Sequence, residues 1–186
     1  MKKKEDDLVH THWERRLIKM AGEVSGPTPY TAHSYWPDEK GQKEAYALCA
    51  NIAAHHSKSF YLASGLLPEQ KRSATRALYA FCRTVDDIVD EGTLFGRDVE
   101  LDYWRGLVSG YLHPRPDDQV GQAWLDTLQR YGIPSIFALQ LIDGVSQDLQ
   151  SSTYQKFEDL ATYCYGVAST VGLMSMYIVG FKSDEA

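Results

Sequence analysis

Cysteine is scarce in this chain: three in 186 residues, at positions 49, 82 and 164. Spaced so widely, Cys49, Cys82 and Cys164 offer neither a disulfide framework nor a zinc-ligand pattern, and they are expected as reduced, buried thiols of a cytoplasmic protein. An apolar segment behind the opening MKKKEDD is missing as well, so this mixed-charge stretch is not expected to be a secretory signal. Long hydrophobic runs are missing too. The one weakly polar stretch, Tyr165 to Phe181 (YGVASTVGLMSMYIVGF), has 17 residues and three glycines, the short limit for a membrane span, and reads as a core helix. Nor is there an excess of positive charge: 19 Lys and Arg against 25 Asp and Glu give a net charge of −6, which argues against binding to nucleic-acid backbones or anionic lipid.

What is present suits one globular domain, with 44% hydrophobic and 24% charged residues. Gly22, Gly26, Pro27, Pro29, Pro37 and Gly41 punctuate the beginning, so residues 1–41 are expected as an irregular tail ahead of a domain over residues 42–186. From Gln42 onward the pattern is helical, with no strand-like alternation between hairpin turns, and the fold class is all-α. About six helices are predicted: Lys43 to Ala63, Pro68 to Gly92, Val99 to Tyr111, Val120 to Tyr131, Pro134 to Leu149 and Phe157 to Val179. Gly65, the His113-Pro114-Arg115-Pro116 break, Gly132 and the helix-starting Pro68 and Pro134 set the boundaries.

The second predicted helix carries YAFCRTVDDIVD (Tyr79 to Asp90). At about 100° per residue from Tyr79, Arg83 falls near 40°, Asp86 near −20° and Asp90 near 20°, so all four share one narrow stripe. Asp87 lies off it, near 80° by the same arithmetic. Leu78, Cys82, Val85, Val89, Phe81 and Ile88 occupy the rest of the circumference, which leaves this helix little surface for water. Aspartates four residues apart are either a solvated helix end or a pair facing an internal cleft, where a hard cation such as Mg²⁺ could bridge them to phosphate oxygens. The apolar surroundings favour the cleft.

Ser57-Lys58-Ser59-Phe60 brings hydroxyls and an ammonium group that suit phosphate but are also ordinary surface residues. His55 and His56 are adjacent, cannot share a helix face, and are read as structural. In the last helix Ala161, Ala168, Gly172 and Ser175 form a small-residue strip that serves close helix packing or a cavity wall. Tyr163 and Val167 lie on another face.

The stretches HSKSFYLASGLLPEQKRSATRALYAFCRTVDDIVDE (His56 to Glu91) and YQKFEDLATYCYGVASTVGLM (Tyr154 to Met174) closely resemble the squalene and phytoene synthases, the head-to-head prenyl synthases. The likeness runs from about Tyr46 to Phe181. It implies an all-α isoprenoid-synthase fold around an apolar cavity that takes two prenyl diphosphates with Mg²⁺, or Mn²⁺ in its place. By that resemblance Asp86 and Asp90 correspond to metal ligands, with Asp87 beside them. Ser57, Ser59 and Arg83 correspond to diphosphate contacts, and Phe60, Tyr79, Tyr163, Val167 and Gly172 match positions near the reacting carbons or along the prenyl channel. The implied chemistry is ionisation of an allylic diphosphate, attack by the second substrate to give a cyclopropylcarbinyl diphosphate, and rearrangement to a C1–C1′ product. GVSQDL (Gly144 to Leu149) and VASTVGLMSMYIVG (Val167 to Gly180) look more like phytoene synthases, which implies geranylgeranyl diphosphate. A farnesyl-diphosphate-using squalene or dehydrosqualene synthase is the alternative within the family.

A second aspartate-rich motif, which in such enzymes reads like RDVGED, does not occur in these residues. The expectation is therefore the N-terminal half of such a synthase, inactive or weakly active alone, with a second polypeptide supplying the rest. A non-catalytic binding or assembly protein of the same fold is the other class. Nucleic acid is not an expected partner. Peripheral membrane contact is compatible with a lipid product, although no basic amphipathic anchor supports it.

Overall fold

The computed structural model describes residues 12–22, 39–93, 96–149 and 153–181. Every regular element among them is helical: α1 (His12–Gly22), α2 (Glu39–His56), α3 (Lys58–Ser64), α4 (Glu69–Glu91), α5 (Gly96–Val108), α6 (Gln119–Tyr131), α7 (Ser135–Ser146), α8 (Phe157–Cys164) and α9 (Thr170–Val179). A 3₁₀ turn, Gln147–Leu149, extends α7, and a π-helical turn, Tyr165–Ser169, joins α8 to α9. The all-α class stands.

Helix α4 is the axis of the bundle, packed against α2, α5, α6, α7 and α9. Its apolar positions dictate this: Ala74, Ala77, Leu78, Ala80, Phe81, Val85 and Val89 are all buried. Phe81 stacks on Trp124 of α6, with centroids 4.7 Å apart and planes at 7°, and meets Trp104 of α5 at 5.3 Å. Burying each such ring removes enough apolar surface to stabilise the fold by about 2–3 kcal/mol. The ends are tied by polar groups. Asp118 caps α6 by accepting the Gly121 amide at 2.7 Å and also accepts the Tyr103 hydroxyl at 2.7 Å. Gly132 stops α6 at φ 60°, a left-handed conformation that glycine adopts without steric cost. At the far end Lys71 of α4 donates to the Val179 carbonyl at 2.5 Å, fastening the end of α9.

Several boundaries differ from the sequence-based expectation. Residues 1–41 are not irregular throughout, since α1 is helical and α2 already begins at Glu39; residues 23–38 lie outside the described residues. The first predicted helix is two, because Ser57 leaves helical geometry (φ −148°, ψ 93°) and its hydroxyl caps α3 by accepting the Phe60 amide at 3.4 Å. The last predicted helix is interrupted by the π-helical turn. There Gly144 of α7 and Gly166 approach so closely that a Cβ on Gly144 would lie 3.0 Å from the Gly166 backbone. The cysteines also divide: Cys49 is buried, Cys82 half-buried and Cys164 exposed, which corrects the expectation of three buried thiols. Burial pushes the Cys49 thiol up to about 12, well out of reach of ionisation.

The stretch read as a core helix is core on one side only. Thr170, Met174 and Ile178 of α9 are buried, while Gly172 and Val179 are exposed. Among the described residues, no helix is long and apolar enough to cross a membrane.

Candidate functional site

The stripe on α4 survives folding as a polar edge beside the helix's buried apolar face. Tyr79, Arg83 and Asp86 are half-buried and Asp90 is exposed, so the stripe runs from the interior outward to solvent. Tyr79 stacks on Phe60 of α3, with centroids 4.7 Å apart and planes at 29°, which is how the short α3 is placed beside the stripe. Arg83 is paired one turn along with Asp87, and both side chains are about one-third exposed (30% and 34%). The off-stripe aspartate is thus the one the arginine holds directly. The Arg83 Nε is buried and has no hydrogen-bond partner among the described residues.

Asp86 is the electrostatic centre. Burial raises its carboxyl from the usual value to about 6; Arg83 counters this, while the negative charges of Asp90, Asp87 and Asp148 add to it. Asp148 comes from the 3₁₀ turn after α7, in the GVSQDL segment, and adds its charge to the acidic group from a second element. The Tyr163 hydroxyl of α8 donates to Asp148 Oδ2 at 3.0 Å. Tyr154 lies against the Tyr163 ring, with centroids 5.2 Å apart and planes at 34°, and its own hydroxyl is buried without a partner among the described residues. The Tyr163 phenol is pushed up to about 12, by burial first and then by the hydrogen bond to Asp148 and its charge, with Tyr154 and Asp86 adding to it.

The structure therefore brings together Phe60 with Tyr79, Arg83 with Asp87, and Asp86 with Asp90, Asp148 and Tyr163. Ser57 acts as the α3 cap and Ser59 is exposed. Val167 is half-buried on the π-helical turn, and Gly172 is exposed with nothing within 4 Å of where a Cβ would stand. His55 and His56 are both exposed at the end of α2 and pack edge-to-face on each other at 4.9 Å. Asp148 and Tyr154 were not among the candidate site residues. The available signal was that Asp148 follows Gly144 by four residues and precedes Tyr163 by fifteen, but only the fold converts that spacing into contact.

Among the described residues no three His, Cys, Asp or Glu side chains converge as a finished metal-ligand set. The donors still suit Mg²⁺. Asp86 and Asp90 present hard carboxylate oxygens on one stripe, the crowding of negative charge on Asp86 is what a cation would relieve, and Mg²⁺ ordinarily completes its octahedron with water and phosphate oxygens.

A family profile described as squalene/phytoene synthase matches residues 53–186. The chain is 40% identical over 144 residues to the 15-cis-phytoene synthase of Synechococcus elongatus, covering 77% of this chain and 47% of that protein. It is 36% identical over 146 residues to the chloroplastic phytoene synthase 1 of Zea mays, covering 78% of this chain and 36% of that protein. A crystal structure of a dehydrosqualene synthase in complex with ligand superposes with a TM-score of 0.66 at 29% identity, covering 75% of this chain and 48% of that one. The chain thus spans about half the length, or less, of these relatives.

Proposed function

Because the chain belongs to the squalene/phytoene synthase family, a family of prenyltransferases, we propose that it contributes one half of a head-to-head prenyl synthase site. In our reading that site condenses two geranylgeranyl diphosphates to phytoene, in carotenoid biosynthesis. The observation that carries this reading is the pairing of the crowded Asp86 carboxylate with the Arg83 Nε, which has no partner among the described residues, on one half-buried stripe. Together they suit a diphosphate and its counter-cation.

Asp86 and Asp90, with Asp87 beside them, would hold Mg²⁺. When bound, that ion neutralises charge developing on a departing diphosphate. Arg83 donates its free Nε to a diphosphate oxygen while Asp87 keeps the guanidinium in place. Ser57 and Ser59, at the start of α3, offer hydroxyls to the same group. Tyr79 and Phe60 form an aromatic floor next to the stripe, and Tyr163 presents a second phenol from the opposite wall. Such faces stabilise an allylic cation and keep away the water that would trap it as an alcohol.

Incubating the chain with geranylgeranyl diphosphate and Mg²⁺, with and without a polypeptide corresponding to the remaining half of a relative, tests the proposal. A C40 hydrocarbon is expected only from the pair, and Asp86→Asn or Asp90→Asn should lower its yield at least a hundredfold. Full turnover by the double variant rules out the metal role. A second reading, binding of prenyl diphosphate without turnover by this chain alone, is favoured by the exposure of Asp90 and by the lack of a finished ligand set among the described residues. It predicts Mg²⁺-dependent binding with no pyrophosphate released above background.

A further inference from the structure

Asp148 is the one carboxylate of the acidic group that does not come from α4, and the reading above gives it no task. It lies on the 3₁₀ turn after α7, and its Oδ2 accepts the Tyr163 hydroxyl at 3.0 Å across fifteen residues of chain. The Tyr163 ring is braced from a second direction by Tyr154 at 5.2 Å. A tyrosine on a helix ordinarily samples more than one staggered rotamer. A hydrogen bond to a charged acceptor favours one of them by about tenfold or more, and a packed neighbour narrows the choice further. Asp86 is near enough for its charge to act on the Tyr163 phenol. The hydrogen bond and the packed neighbour therefore fix the ring in the neighbourhood of the α4 aspartates.

We infer that Asp148 is a positioning residue: by accepting the Tyr163 hydroxyl it holds that ring, backed by Tyr154, where its face meets the allylic carbon that becomes cationic as a prenyl diphosphate ionises. This rests on the prenyl-diphosphate reading. It assigns to the carboxylate a role distinct from metal binding, because the group is already engaged by a phenol and acts through it. A cation over an aromatic face gains only where the face is correctly turned, so the consequence is selective. Loss of Asp148 should weaken binding of a cation and spare binding of an intact diphosphate.

Two probes separate these, both measured calorimetrically with Mg²⁺ on the 186-residue chain combined with a polypeptide corresponding to the remaining half of a relative. One is a geranylgeranyl ammonium ion with inorganic pyrophosphate, a mimic of the ionised pair. The other is geranylgeranyl thiolodiphosphate, which does not ionise. Asp148→Ala is expected to weaken the ammonium probe about fivefold and to change the thiolodiphosphate less than twofold. Tyr163→Phe, which keeps the ring and loses the tether, should weaken the ammonium probe similarly, and the double variant should be no worse than either single one. Asp148→Asn, still an acceptor, should restore most of the affinity. In ¹³C-tyrosine spectra the Tyr163 Cζ resonance, identified by its loss in Tyr163→Phe, should move in Asp148→Ala. Equal loss of both probes, additive single effects, an unchanged ammonium affinity or an unmoved Cζ resonance each overturns the positioning role. If the unaltered chain, with the complementing half present, binds neither probe, the prenyl-diphosphate reading itself fails and this role with it; binding of both with silent variants removes the positioning role alone.

Discussion

Helices α4 and α9 are neighbours in one bundle, yet they are buried to very different degrees. Helix α4 is packed against α2, α5, α6, α7 and α9, and eight of its residues are buried, while its ends and the Tyr79-to-Asp90 stripe reach solvent. Helix α9 carries no charged residue in TVGLMSMYIV, but only Thr170, Met174 and Ile178 are buried, and Gly172 stands in open space. An element apolar on every side normally ends up covered. The contrast locates the two kinds of surface: a polar edge on a finished helix, where chemistry can be placed, and an apolar flank on a half-covered one.

The packed side should be the more fragile. Trp124→Ala empties the stack under Phe81 and is expected to cost about 3–5 kcal/mol in urea unfolding; a loss below 1 kcal/mol would mean that α4 is less enclosed than described. Two glycines then set the two regions against each other with one substitution. Gly144→Ala forces a methyl against the Gly166 backbone, where no side chain can yield, and should cost about 1–3 kcal/mol. Gly172→Ala meets nothing and replaces a flexible helical residue, so it should stabilise by about 0.5–1 kcal/mol. Same-sign changes at the two positions would erase the contrast.

The smallest expected effect concerns the polar edge. Because the Asp86 carboxyl is raised to about 6 from its ordinary value of 3.8, the folded chain between those pH values keeps a proton that the unfolded chain has lost. Stability therefore falls as pH rises through that window, and ionised Asp86 is a destabilising charge at neutral pH. Asp86→Asn should raise the melting temperature by roughly 1–2 °C at pH 7.5, a small figure because the group is half exposed, and by less at pH 3.5. A fall at pH 7.5 would show that Arg83 outweighs burial and like charge.

Much of this was legible in the sequence, and the reason differs from residue to residue. Periodicity alone aligned Tyr79, Arg83, Asp86 and Asp90, because a long helix with one polar stripe records its own geometry. Gly132 and Pro134 marked the turn between α6 and α7 by backbone chemistry. The break at Ser57 was harder to see, since Ser-Lys-Ser reads equally as helix surface or as a cap, and the capping bond to Phe60 decides it. Helix α1 was obscured by the glycines and prolines that follow it. Asp148 and Tyr154 reach the site through tertiary packing, which no local pattern encodes: one sits on a turn after α7 and the other just ahead of α8. Arg83 was assigned to the stripe correctly, but its choice of Asp87 as partner depends on side-chain reach, not on angular position.

The π-helical turn Tyr165–Ser169 has a geometric corollary. One extra residue in a single turn sets everything after it about a quarter of a rotation out of phase with everything before it. Tyr163 and Gly172 therefore cannot be placed on one helical wheel. A one-residue deletion within that turn would act as a torsional gear, re-aiming α9 as a unit while leaving α8 and its phenol where they are.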